Sequence, residues 1–285
     1  MQYAIELTNL CKQYSKFQLK DVSFSLPMGY VMGFIGENGA GKTTVMKSML
    51  HLVHPDSGQI LLLGQDASKE NADLKQKIGV VLDTANFPQS FHTSDVNQML
   101  KRIYTNWDSD LYWKYIERFQ LPEKKKFKEF SMGMKKKLAV AAALSHHPTL
   151  LILDEVTAGL DPMVREEILD VFREFVSDGE HAVLISSHII SDLEKICDYV
   201  TFLHQGKLLF SMERDILLDT YCMVQCSAEA AKHLPAEAIC GKRDTPYHIE
   251  LLCKREMLPS SVQAEPVGIE DIMIFLTKYA GGNAK

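Results

Sequence analysis

Eight consecutive residues have the types and spacing to hold a phosphate chain. Gly36-Glu37-Asn38-Gly39-Ala40-Gly41-Lys42-Thr43 fits G-x-x-x-x-G-K-[ST], and Thr44 follows. The glycines let the backbone wrap an anion so that N–H groups point inward. An apolar run at residues 30–35 precedes the segment, and a helical pattern follows it to about His51. The loop therefore sits between a strand and a helix N-terminus, whose field favours anions. In that setting Lys42 reaches the β and γ phosphates of a nucleoside triphosphate, and the Thr43 hydroxyl binds Mg²⁺.

A second constellation lies far downstream. Residues 150–153 are Leu-Leu-Ile-Leu, and Asp154-Glu155 follow. A buried strand presents its C-terminal end at the ligand crevice of an open α/β sheet. Asp154 can hold Mg²⁺ directly or through water. Glu155 is placed to orient or deprotonate an attacking water. Together these motifs define a P-loop nucleotidase and no more. Three further segments narrow the class: Ser131-Met132-Gly133-Met134-Lys135 opens a predicted helix, Ala158-Gly159-Leu160-Asp161 follows the carboxylates, and His188 ends Ser186-Ser187-His188.

The elements that must position these residues are legible as periods. Residues 3–7 and 22–26 alternate as half-buried strands, and 59–63, 78–82 and 182–185 read as further strands. The pattern turns helical from about Thr93 to His146, with helices expected at 107–120 and 132–145. Pro162 opens a helix to about Val176, and 189–196 is another. Residues 200–203 and 207–210 flank Gln205-Gly206 as a hairpin. Strands alternating with helices imply an α/β fold with a mostly parallel sheet covered on both faces. After about Ser211 the composition shifts to short mixed segments, read as a small α+β extension over 216–285.

The chain has 285 residues, enough for a sizeable core. Its net charge of −6 argues against a nucleic-acid binder that works by bulk attraction. The six cysteines form no CxxC pair, which suits a reduced, cytosolic compartment. Cys222 and Cys226 could share one helix face, as structural thiols. The lysines from Lys124 to Lys137 read as a solvated face beside Ser131. No run reaches the roughly 18 apolar residues of a membrane span, so a spanning segment would come from another chain.

The ordered set of P-loop, Ser131 segment, acidic strand, Asp161 loop and His188 resembles the ATP-binding cassette (ABC) family over about residues 3–211. The resemblance implies a P-loop NTPase domain at 1–215 with an antiparallel N-terminal β subdomain and a helical subdomain inserted at about 84–147. It implies ATP and Mg²⁺ as ligands, and a head-to-tail dimer with a second cassette, identical or not. Ser131 and the Gly133 backbone would touch the γ-phosphate held by the other subunit. His188 would contact it in cis, Asp161 would join the two sites, and Tyr14 would stack on adenine. A separate membrane-spanning transporter subunit is the expected partner, contacted by residues near 84–115, where Tyr104, Trp107 and Trp113 could anchor it or pack in the core. That places the protein on the inner face of the cell membrane.

Two departures stand out. The usual Leu-Ser-Gly-Gly-Gln signature reads Phe130-Ser131-Met132-Gly133-Met134, and Asp83 stands where the family carries a Mg²⁺-binding Gln, which implies that the Asp83 carboxylate binds Mg²⁺ and accepts from the attacking water while adding a negative charge beside the triphosphate. Both resemble single-cassette ATPases of Gram-positive exporters, of the YtrB or bacitracin-export type. The alternatives are a nucleotide-gated regulatory protein with low turnover and a soluble ATPase acting on nucleic acid or ribosomes.

Overall fold

The first residues give two antiparallel strands, β1 (Tyr3–Gln13) and β2 (Gln18–Pro27), whose alternation is interrupted where the register shifts. They appear in a computed structural model that describes residues 2–82 and 87–279. Both strands run further than the short alternating patches suggested. The central strand β3 (Val31–Ile35) is wholly buried and leads through the glycine loop into α1 (Lys42–Met49). β4 (Ser57–Leu62) and β5 (Gln65–Asp66) complete an antiparallel sheet ordered β2-β1-β4-β5. A short helix not anticipated from the pattern, α2 (Ala72–Gln76), is capped by the Asn71 side chain and precedes β6 (Ile78–Val81).

Three helices follow: α3 (Thr93–Leu100), α4 (Ser109–Arg118) and α5 (Met132–Leu144). Asp108 and Ser131 cap the last two through their side chains. Aromatic side chains pack them together. Tyr104 stacks on His146 at 3.9 Å, Trp107 Nε1 donates to Asn97, and the buried Tyr112 hydroxyl donates to the Thr93 carbonyl.

The chain then alternates β7 (Leu150–Asp154), α6 (Pro162–Val176), β8 (Ala182–Ser186) and α7 (Ile190–Ile196). β9 (Tyr199–His204) and β10 (Lys207–Glu213) close a second sheet, ordered β10-β9-β3-β8-β7-β6. Its inner pairings are parallel, with Asp154 in register with Ser186. Leu7, Leu26, Phe34, Met46, Ile152 and Leu184 belong to one core that joins the two sheets. Each such side chain contributes about 1.5–3 kcal/mol on burial.

Two compact units divide between Ser211 and Met212, within β10, rather than at 215–216. A strand continues through the composition shift because its backbone pairing does not depend on the change in side-chain chemistry. The second unit contains α8 (Arg214–Thr220), β11 (Tyr221–Cys226), α9 (Ala228–Ala231), β12 (Ile239–Asp244), β13 (Ile249–Lys254) and α10 (Ile269–Lys278). Its sheet is ordered β11-β13-β12. Cys222 and Cys226 lie on strand β11, not on a helix. Four residues apart is a shared face at period 2 as well as at 3.6, so the spacing alone could not choose. No helix among the described residues is long and apolar enough to cross a membrane.

Candidate functional site: a phosphate loop beside two carboxylates

The centre of the parallel sheet brings the glycine loop and the two carboxylates together. β3 delivers the glycine loop and β7 delivers the carboxylates, each at its C-terminal end. Gly41 caps α1 at φ 112°, and a Cβ there would lie 2.6 Å from both Leu19 and Phe17. Gly39 has φ 83° and open space around it. Gly36 is pressed against the Leu203 carbonyl, and buried Ala40 donates its N–H to Glu37.

Lys42 opens α1 and is only 6% exposed. Its ammonium donates to the Gly36 carbonyl at 2.6 Å and lies 3.8 Å from Glu155 Oε1. Burial pushes its pKa down, while the Glu155 and Asp154 carboxylates oppose the shift. The Thr43 hydroxyl donates to Asp154 Oδ2 at 2.9 Å, and the Ser186 hydroxyl donates to Asp154 Oδ1. Asp154 is buried. Glu155 turns out of the strand at φ 52°, with its N–H donating to the Ser186 hydroxyl at 3.0 Å. His188 Nδ1 donates to Glu155 Oε2 at 2.7 Å. Glu155 Oε1 is buried and accepts no hydrogen bond.

These groups open onto a cavity of about 640 Å³ lined by Tyr14, Glu37, Asn38, Gly39, Gly41, Lys42, Thr43, Thr44, Asp154 and Glu155. Tyr14 is half-exposed at its rim, beside Lys16 and Phe17. The remaining selected residues lie elsewhere. Ser131 caps α5 by accepting from Met134 N, and Asp161 caps α6 by accepting from Val164 N. Gly133 faces Leu160 and Val164, and the exposed Met132 lies against Gly159. None of these lines the cavity. Asp83 lies outside the described residues.

Sequence reasoning missed two groups. Ser186 holds both Asp154 and Glu155, yet only the β7–β8 register brings it there. Lys136 departs from the solvated lysine face that the charge run predicts. It is instead buried, and its ammonium donates at 2.6 Å to the carbonyls of both Glu155 and Ala158. Lys137 also turns inward, to Glu167. The signal was the apolar stretch from Leu138 to Leu144. A helix buried on all sides leaves little room for a solvated lysine at its start.

A glycine loop feeding a helix, with an acidic strand beside it, defines a P-loop nucleotide-binding ATPase. The ABC transporter family profile matches residues 19–158. The ABC transporter ATP-binding protein YtrB of Bacillus subtilis (strain 168) is 29% identical over 294 residues, covering 97% of this chain and 98% of its own. The bacitracin transport ATP-binding protein BcrA of Enterococcus faecalis is 35% identical over 212 residues, covering 73% of this chain and 69% of its own. A solved ATP-binding subunit of an ABC transporter superposes with a TM-score of 0.69 at 26% identity, over 75% of this chain and 91% of that one. The chain belongs to the ABC transporter family. It is an ATP-binding subunit whose hydrolysis of ATP is coupled to transport, as the motifs implied, and the regulatory and nucleic-acid alternatives gain no support.

Proposed function

We propose that the 640 Å³ cavity holds ATP with Mg²⁺ and that Glu155 is the general base for its hydrolysis. One observation carries this reading: the buried Glu155 Oε1 accepts no hydrogen bond and lies in an ion pair 3.8 Å from Lys42 Nζ, beside the Thr43–Asp154 pair. The Thr43 hydroxyl and the Asp154 carboxylate are adjacent oxygen donors, the set a hard cation takes. When bound, Mg²⁺ neutralises charge on the phosphate oxygens. Lys42 exchanges the Gly36 carbonyl for the β and γ phosphates, where its charge is compensated. Thr44 and the loop N–H groups hold the phosphates, and Tyr14 stacks on adenine. His188 occupies Oε2 of Glu155. In the ATP-bound state His188 turns to the γ-phosphate, and the freed Glu155 carboxylate orients the attacking water and takes its proton.

Ser131, Gly133 and Asp161 stand apart from the cavity, which supports a site completed by a second cassette arranged head to tail. By analogy with BcrA, the pair drives a membrane-spanning exporter subunit from the inner face of the membrane. The direct test is Glu155→Gln, whose amide orients water without accepting its proton. ATP binding should persist while steady-state hydrolysis falls on the order of 10²-fold or more. Near-normal turnover would remove Glu155 from the role of base.

A further inference from the structure

Glu155 holds a backbone conformation that non-glycine residues avoid, at φ 52°. That turn aims its carboxylate into the cavity rather than along the strand. Two contacts hold the turn. On one side the Glu155 N–H donates to the carbonyl and hydroxyl of Ser186. On the other, the Glu155 carbonyl accepts from Lys136 Nζ at 2.6 Å. The same ammonium donates to the Ala158 carbonyl at 2.6 Å, and the Ala158 N–H closes back onto the Glu155 carbonyl. Residues 155–158 therefore wrap one buried ammonium, and the left-handed Gly159 follows at φ 71°. The ammonium belongs to α5, the helix that Ser131 caps five residues earlier.

We propose that Lys136 is a positioning residue for hydrolysis: it fastens the Glu155–Ala158 turn to α5 and so fixes the direction of the Glu155 carboxylate. The proposal rests on the reading of Glu155 as base. A charged donor to a carbonyl is stronger than a neutral one, and here it works out of water. α5 presents Ser131 at its N-terminus and grips the Glu155 turn through Lys136. Any displacement of α5 by a ligand at Ser131 is transmitted to the Glu155 carboxylate of the same chain. The two contacts that hold the turn are with backbone, at the Glu155 and Ala158 carbonyls, so through them Lys136 acts on the chemistry by way of Glu155.

The test is a double-mutant cycle in the full-length chain, read by single-turnover ATP hydrolysis and by titration with a fluorescent ATP analogue. Lys136→Met keeps the stem and loses the charge. It should slow hydrolysis at least about 10-fold and leave the nucleotide Kd within about 3-fold. Lys136→Gln retains a neutral donor and should fall between wild type and Lys136→Met. In the Glu155→Gln background, Lys136→Met should cost less than about 2-fold, because the group it positions is already disabled. Equal losses in both backgrounds would overturn the proposal, as would a Lys136→Met rate within about 2-fold of wild type or a Kd that weakens as much as the rate. If Lys136→Met does not melt cooperatively, Lys136→Gln carries the same cycle with the same criteria. Full activity in Glu155→Gln alone would instead overturn the base assignment, and this inference with it. An inactive Glu155→Gln beside a fully active Lys136→Met would overturn only the latter.

Discussion

Lys42 places a charge where burial opposes it, balanced by two carboxylates and by the carbonyls of its own loop. That balance is poised to be improved by an anion. A triphosphate supplies more negative charge than Glu155 and Asp154, and its oxygens accept from the N–H groups of a helix N-terminus. Lys42→Met should therefore weaken binding of a fluorescent ATP analogue at least about 10-fold, the cost of a charge-assisted contact. Without nucleotide the variant should melt no lower than wild type, because the change removes a desolvated charge while keeping the stem. Unchanged affinity in the titration would show that Lys42 does not meet the phosphates. The types and order of these loop residues were legible in the chain. The role of Lys136 was not, since a lysine's count and neighbours say nothing about which way its helix turns.

The element that aims Lys136 is α5, and it is seated on β6 and on its own C-terminal turn. A Cβ at Gly79 of β6 would lie 2.7 Å from the Ala143 carbonyl, so only glycine lets helix and strand approach this closely. Just past α5, the buried His146 ring stacks on Tyr104 and places Nε2 3.3 Å from the Ile78 carbonyl. Burial holds its pKa below the ordinary histidine value. The folded state therefore keeps His146 neutral, while the unfolded chain takes up a proton below about pH 6.5. Its contribution is fully present above that pH and is lost as pH falls from there toward the lower folded value. Thermal melts between about pH 7.5 and 5.5 should show stability falling with acid, with a shallower fall in His146→Gln. Parallel curves would assign the acid sensitivity to other groups. The sequence marked this segment as a helix end. Only the packing made His146 a buried contact between α5 and β6.

Over the whole molecule, the residues that line the cavity and the Ser131 cap of α5 occupy different places, so the cassette's two halves of a site belong to two chains in the proposed arrangement. Mixing Lys42→Ala subunits with Ser131→Arg subunits should create heterodimers with one doubly damaged site and one intact site. ATPase activity should then exceed that of either variant alone. Heterodimers shown to form, yet inactive at every mixing ratio, would count against the head-to-tail pairing. At this scale the sequence alone determined the family and the α/β alternation, and it picked out Lys42, Thr43, Asp154 and Glu155, which the fold gathers around one cavity, because each motif is a contiguous stretch whose residue types and spacing can be read locally. Tertiary structure decided what depends on separation along the chain. The β7–β8 register put Ser186 against Asp154, the seat of α5 turned Lys136 inward onto the Glu155 turn, and pairing rather than periodicity made Cys222 and Cys226 part of a strand. Hydrogen-bond register and side-chain packing are set by partners far away in sequence, which no local pattern of residues specifies.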